Sequence, residues 1–410
     1  MDVLGEMLVL LVLTRLLGEA AERVGQSASV GELIAGIVLA GLAGAYGDTL
    51  PFLAHIATSE ALEYAASLGI FFLMLLAGIE MEPREISRGS MGSFMVAAGG
   101  VILPMTGGIG LAWWFLPESE LKQVQTLLVG VALSITAVPV TVKVFTELGM
   151  LHTRVGRMVV SAAIFDDVLG LFVLAILTAM IETGSIPDIA TLALMLSKVV
   201  AFFAIAVALG VHVYPRFSRR LKAMQAAAFE FSALIGVALA YGLLAELLGI
   251  HWVLGVFMAG LYFEPARVGR RAYLEIKLIV AAVTGGFLGP LFFASIGLGV
   301  DLRAAVTVPG FLALLIAIAV GAKMIGSGLP ALWAGMSRRD AAAVGTGMVA
   351  RGATELVVIS IAAEAGLFAT GDSSDPVTAN LYSALVLMAV VTTLITPILL
   401  RLILPAAKDR

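Results

Sequence analysis

The chain has 410 residues, 60% of them hydrophobic and only 13% charged, with a mean hydropathy of +1.05. An ordinary soluble domain carries about 25% charged residues, so a soluble globular protein is excluded and a polytopic membrane protein is indicated. The formal net charge of −4 decides little, whereas the absence of cysteine excludes disulfides, thiol redox chemistry and cysteine metal sites.

Apolar segments of about 20 residues, the length that crosses a ~30 Å hydrocarbon core, predict thirteen helices. They lie at 3–20, 29–44, 61–79, 91–115, 124–146, 159–181, 189–214, 224–247, 251–263, 278–297, 304–335, 342–364 and 378–400. The expected organisation is one transmembrane domain over 1–410 with no soluble regulatory domain. The first segment carries Glu6, Arg15 and Glu19 and lacks a basic start or a small-residue cleavage site, so it reads as a retained helix rather than a signal peptide. Loops after odd-numbered segments, with the C-terminal tail, carry eighteen Lys and Arg residues, from Arg23 and Arg84 to Lys408 and Arg410. Loops after even-numbered segments carry only Lys122 and Arg303, together with the acids Asp48, Glu60, Glu118, Asp372 and Asp375. The positive-inside rule therefore places the C-terminus in the cytoplasm and the N-terminus outside, with the chain in the cell (inner) membrane.

The sixth segment, SAAIFDDVLGLFVLAILTAMI, holds two adjacent aspartates, Asp166 and Asp167. Ionisable residues inside a membrane are expensive and are kept where they have a partner or a wet cavity, so this pair reads as an ion or proton site. Lys143 and Lys198 sit near helix ends, from which their ammonium groups snorkel to the interface. Lys323 lies too deep in LLIAIAVGAKMIGSGLPALWAG to do so and requires a negative partner, Asp166 or Asp167.

Internal symmetry is present. IAGIVLAGL at 34–42 resembles VLGVFMAGL at 253–261, offset by 219 residues, and LGIFFLMLLAGIEME at 68–82 resembles LGPLFFASIGLGVDL at 288–302 at nearly the same offset. A separation of seven helices turns the second copy upside down. The expected construction is thus an inverted repeat, about 1–182 and 224–404, joined by a linker helix at about 189–214, as in many secondary transporters. In the fifth segment, SITAVPVT contains Pro139, which lacks an amide donor, and Ser134, Thr136 and Thr141, which can take up freed backbone groups. Its counterpart 215 residues later, VARGATEL, breaks at Arg351 and Gly352. Two discontinuous helices crossing near the midplane are expected, with Arg351 or Glu355 offsetting the unpaired partial charges of the half-helix ends.

FDDVLGL, TAVPVT, GAKMIGSGL and RGATELVV, in that order along nearly the whole chain, resemble the cation:proton antiporter-2 family. That family includes the NapA/GerN-like sodium/proton antiporters, the Kef potassium efflux systems and the plant cation/proton exchangers. The resemblance implies a 13-helix NhaA-type fold, a homodimer, and a core that moves against a dimerisation domain like an elevator. It also implies that Lys323 pairs with Asp166. Asp167 is then the principal cation ligand, with Asp166, Thr136, backbone carbonyls and water completing an oxygen shell for Na+ or another alkali cation. Two departures bear on ion preference: NapA-type chains have an acid directly after the RG pair, where this chain has Ala353 and places its acid at Glu355. Kef systems carry glutamine where this chain has Asp166, and a C-terminal nucleotide-binding domain after the membrane part.

Adjacent helical residues point about 100° apart, so the two aspartates cannot share one environment. Sodium and protons competing for one carboxylate, with passage forbidden to the empty charged site, suffices for coupled exchange. A second titrating group besides Asp167 implies two protons per cation and hence electrogenic transport. The function expected is secondary sodium (or lithium)/proton antiport without cofactors, with the lipid bilayer, a monovalent cation and protons as partners and no nucleic acid. The alternatives are potassium/proton antiport and an organic-solute/sodium symporter of similar architecture. A channel lacks a filter sequence, and an enzyme lacks a nucleophile motif or metal spacing, since His55, His152, His212 and His251 are scattered.

Overall fold

The computed structural model describes residues 3–46, 55–56, 59–80, 91–136, 145, 150, 153–183, 189–213, 229–368 and 375–404. Regular structure among the described residues is helical throughout. In chain order the main helices are α1 (Val3–Arg23), α2 (Ala28–Tyr46), α3 (Glu60–Glu80), α4 (Met91–Phe115), α5 (Lys122–Ser134), α6 (Arg154–Thr183) and α7 (Ile189–Ala208, ending in a π-turn). They continue as α8 (Phe229–Leu247), α9 (Trp252–Leu261), α10 (Arg270–Val283), α11 (Gly289–Leu298), α12 (Pro309–Trp333), α13 (Arg338–Gly347), α14 (Ala353–Glu364) and α15 (Leu381–Ile403). Six stretches among the described residues are long and apolar enough to cross a membrane: α3, α4, α8, α12, α15 and the continuous run from Arg270 to Leu298.

The differences from the predicted segments have local causes. The segment expected at 304–335 is a short helical turn at Ala304–Thr307 followed by a helix from Pro309, broken between them because the residue before a proline is driven out of the α region, and Val308 sits at φ −127°, ψ 50°. The one expected at 278–297 extends from Arg270 through Leu298 and is interrupted by a π-turn at Thr284–Leu288, where Gly285 and Gly286 leave the backbone without side-chain support. The one expected at 342–364 is two helices, α13 and α14, separated by a non-helical link. The one expected at 124–146 ends as α5 at Ser134, and Ile135 is extended at ψ 144°. Pro139, Thr141 and Lys143 lie outside the described residues.

The helices pack in two groups. In one, α4 and α12 form the central pair, α4 also touches α5 and α6, and α13, α14 and α15 close around them. Ring contact between Phe115 and Phe311 joins the end of α4 to the start of α12, so the pair is antiparallel. Its axes approach closely because the crossing point has no side chains: a Cβ on Gly99 would overlap the carbonyl oxygen of Gly326, and one on Gly326 that of Gly99. In a membrane the hydrophobic effect does not draw helices together, and small residues supply the van der Waals contact instead. Trp113 and Trp114 at one end of this pair and Trp333 at the other are exposed, as tryptophans at the two membrane interfaces are. In the second group α1 packs on α2, α2 on α11, α11 on α3, α3 on α9 and α9 on α8.

Candidate functional site

Asp166, on α6, is 1% exposed, and its Oδ1 accepts a hydrogen bond from Lys323 Nζ of α12 at 2.9 Å. The side chains of both are wholly buried. The lysine has no route to the interface, and it reaches its partner past Gly100 of α4, where a Cβ would stand 3.7 Å from Nζ and collide with Ser327 Oγ. Taking two charges from water costs several kcal/mol each. The pair is tolerable where its geometry is good and its remaining donors are used. Lys323 uses a second donor on the Ser134 carbonyl.

That carbonyl belongs to the end of α5, where four backbone oxygens lose their helical partners. Ala132, Leu133 and Ile135 present their carbonyls to the guanidinium of Arg351, at 3.1 Å for Ala132. Two buried cations, Lys323 and Arg351, thus neutralise the partial negative charge of one broken helix end. Arg351 itself stands in the link between α13 and α14. Thr136 Oγ1 donates to the Met348 carbonyl at 3.2 Å, and Thr393 Oγ1 of α15 donates to the Arg351 carbonyl at 2.9 Å. The link is therefore held from both sides. Glu355, in the first turn of α14, is 0% exposed and lies 3.8 Å from Arg351 Nε, too far for a hydrogen bond.

Asp166, Lys323, Thr136, Arg351 and Glu355 thus come together at the end of α5. Asp167 follows Asp166 on α6, but its side chain, like the whole of Pro139, lies outside the described residues. The sequence left open whether Arg351 or Glu355 would offset the open helix end. The structure assigns it to Arg351, whose planar fork meets several carbonyls at once. Ser134 does not use its hydroxyl across the break, since Oγ donates back to Val131 O at 2.7 Å within its own helix. Lys198 is exposed on α7, and Glu6 is buried against His55 (2.8 Å) and Ser59 (2.7 Å). Sequence reasoning missed Thr393 and the buried hydroxyls of Ser327 and Thr346. Ser327 had a signal, since it follows Lys323 by one helical turn.

Buried, paired charges at the break of an apolar helical bundle define a multi-pass membrane protein that moves ions. The chain belongs to the family described as "Sodium/hydrogen exchanger, transmembrane", whose pattern matches residues 8–405, and its activity is cation/proton antiport. It is 30% identical to the Na(+)/H(+)-K(+) antiporter GerN of Bacillus cereus over 98% of this chain and 96% of that one. Identity to the Na(+)/H(+) antiporter of Enterococcus hirae is 26%, over 98% of both chains. Cation/H(+) antiporter 17 of Arabidopsis thaliana is 29% identical over 95% of this chain and 46% of its own length. In fold the chain is similar to the sodium proton antiporter MjNhaP1 from Methanocaldococcus jannaschii, with a TM-score of 0.70 at 18% identity, covering 99% and 96% of the two chains.

Proposed function

We propose that the chain exchanges sodium, and lithium, for protons at a site built on Asp167 and Asp166, with Thr136, backbone carbonyls and water completing the cation's oxygen shell. The observation that carries this reading is the buried Asp166–Lys323 pair docked on the open end of α5. It fixes Asp166 on one side of α6, and because adjacent helical residues point about 100° apart, the proposal gives cation and proton binding to Asp167. Asp166 Oδ2 has no hydrogen-bond partner among the described residues and is available to the same ion.

The helix pairing supports the inverted repeat. The contacts of α1 with α2 and of α2 with α11 recur, with the copies exchanged, as those of α8 with α9 and of α9 with α3. Each crossing between copies is a glycine pair, Gly36 with Gly297 and Gly78 with Gly260. The bundle around α4 and α12 then moves as a unit against the other helices, in a homodimer, with the N-terminus outside and the C-terminus in the cytoplasm. Asp167 and a second buried titratable group together carry two protons per cation, which makes the exchange electrogenic. Potassium is the second reading, favoured by Ala353 and Glu355 in place of an acid directly after the RG pair.

The test is proton movement in proteoliposomes holding a preset pH gradient, after separate additions of sodium, lithium, potassium and choline, for wild type and Asp167→Asn. A cation-selective response absent from the variant is expected. Equal activity of the variant would remove Asp167 from the site.

A further inference from the structure

We infer that Glu355 is the second proton-binding group of the exchange, taking a proton on its carboxylate from one side of the membrane and releasing it to the other. This rests on the antiport reading above and names the group that reading leaves open.

The geometry separates two buried acids that look alike in the sequence. Asp166 is anchored: one oxygen receives the Lys323 ammonium at 2.9 Å. Glu355 is not. Both of its carboxyl oxygens are buried, and neither has a hydrogen-bond partner among the described residues. Arg351 stands beside it but spends Nη1 and Nη2 on the carbonyls of Ala132, Leu133 and Ile135, and its Nε, at 3.8 Å from Glu355 Oε2, makes no hydrogen bond. The arginine's hydrogen bonds serve the open end of α5, which leaves the neighbouring carboxylate an ion-pair contact at 3.8 Å but no hydrogen-bond donor from Arg351. An ionised carboxylate without donors in an apolar interior is costly, and taking up a proton relieves that cost at once.

The charges acting on Glu355 are those of Arg351 and Lys323. The helices packed against α14, namely α3, α5 and α15, carry their charged residues (Glu60, Glu63, Glu80, Lys122, Arg401) at their ends. Glu355 is coupled to the ion site through Lys323, which lies on α12 and holds Asp166, the chain neighbour of Asp167. A cation arriving at the aspartates adds positive charge to a region already holding Lys323 and Arg351, and the proton leaves Glu355 in response. Two further buried groups point to water along the way. Ser327 Oγ, one turn beyond Lys323, and Thr346 Oγ1, next to the Gly345 that abuts Met324, have no partner among the described residues either. Buried hydroxyls and carboxylates without protein partners are the setting in which internal water is held.

The test compares wild type, Glu355→Gln and Lys323→Gln in proteoliposomes, reading the voltage at which a fixed sodium gradient and a fixed pH gradient produce no net exchange. Wild type is expected to balance at two protons per cation and Glu355→Gln at one. The same proteins give infrared difference spectra between acidic and alkaline pH. There the carbonyl stretch of a neutral, dry carboxylic acid is expected in wild type and in Lys323→Gln, and is expected to be missing from Glu355→Gln. A ratio of two in Glu355→Gln, or a wild-type ratio of one, overturns the assignment. If Glu355→Gln folds but does not exchange, the infrared band decides: its persistence overturns the proposal and its loss supports it. Failure of the antiport reading looks different, since wild type itself would then show no proton movement on adding any cation.

Discussion

At the scale of single residues, the site is governed by which buried charge has a partner. Asp166 and Lys323 form a buried ion pair, so removing one leaves an uncompensated charge in the apolar core, a loss of about 3–5 kcal/mol for comparable pairs. Lys323→Ala is therefore expected to lower the thermal unfolding temperature in detergent markedly, and an unchanged temperature would remove the ion pair from the account of stability. Asp167→Asn is expected to abolish exchange while leaving that temperature close to wild type, because the pair and the clamps on the α13–α14 link do not depend on it. Thr393→Val tests one of those clamps. Losing the hydrogen bond to the Arg351 carbonyl costs about 1 kcal/mol, and the expected result is a small fall in stability with a slower exchange rate. The two aspartates, the lysine and the arginine were all legible in the sequence, because a charge in an apolar run stands out. The unequal situations of Asp166 and Glu355 were not, since both are acids in apolar helices and differ only in which donors reach them across the fold.

At the scale of elements, the helices follow the apolar pattern, and their departures from it follow proline and glycine. Pro309 sets the start of α12, and Gly335, at φ +76°, turns the chain out of its end before Ser337 caps α13 by accepting from the Asp340 amide at 3.1 Å. The break between α13 and α14 was readable from RG inside an apolar run. What holds it open was not, because the groups that receive its backbone, Thr136 and Thr393, lie far away in sequence. The α4–α12 crossing offers the sharpest test at this scale. Gly99→Leu forces a side chain into the Gly326 backbone. Overpacking costs about 1–3 kcal/mol in ordinary cores, and here the strain falls on the helix that carries Lys323. The expected outcome is lower yield of folded protein in detergent and loss of exchange, whereas Gly110→Leu, at a position with open space around it, is expected to retain both.

At the scale of the whole molecule, the proposed orientation rests on loop charge. In this cysteine-free chain single cysteines report it directly: a membrane-impermeant maleimide is expected to label Asp372→Cys in intact cells and Arg220→Cys only after the membrane is opened. The reverse pattern would invert the topology and with it the side from which protons enter. Length, hydropathy, the charge asymmetry of the loops and the buried acids and bases were determined by the sequence itself. Each is a property of local composition, and the cost of placing polar groups in lipid makes composition decisive. Only the tertiary structure decided which buried cation serves which group. Arg351 gives its hydrogen bonds to the end of α5 and only a 3.8 Å ion-pair contact to Glu355, and Lys323 goes to Asp166. That choice depends on helix crossings a few ångströms wide, which glycines far apart in the chain set together.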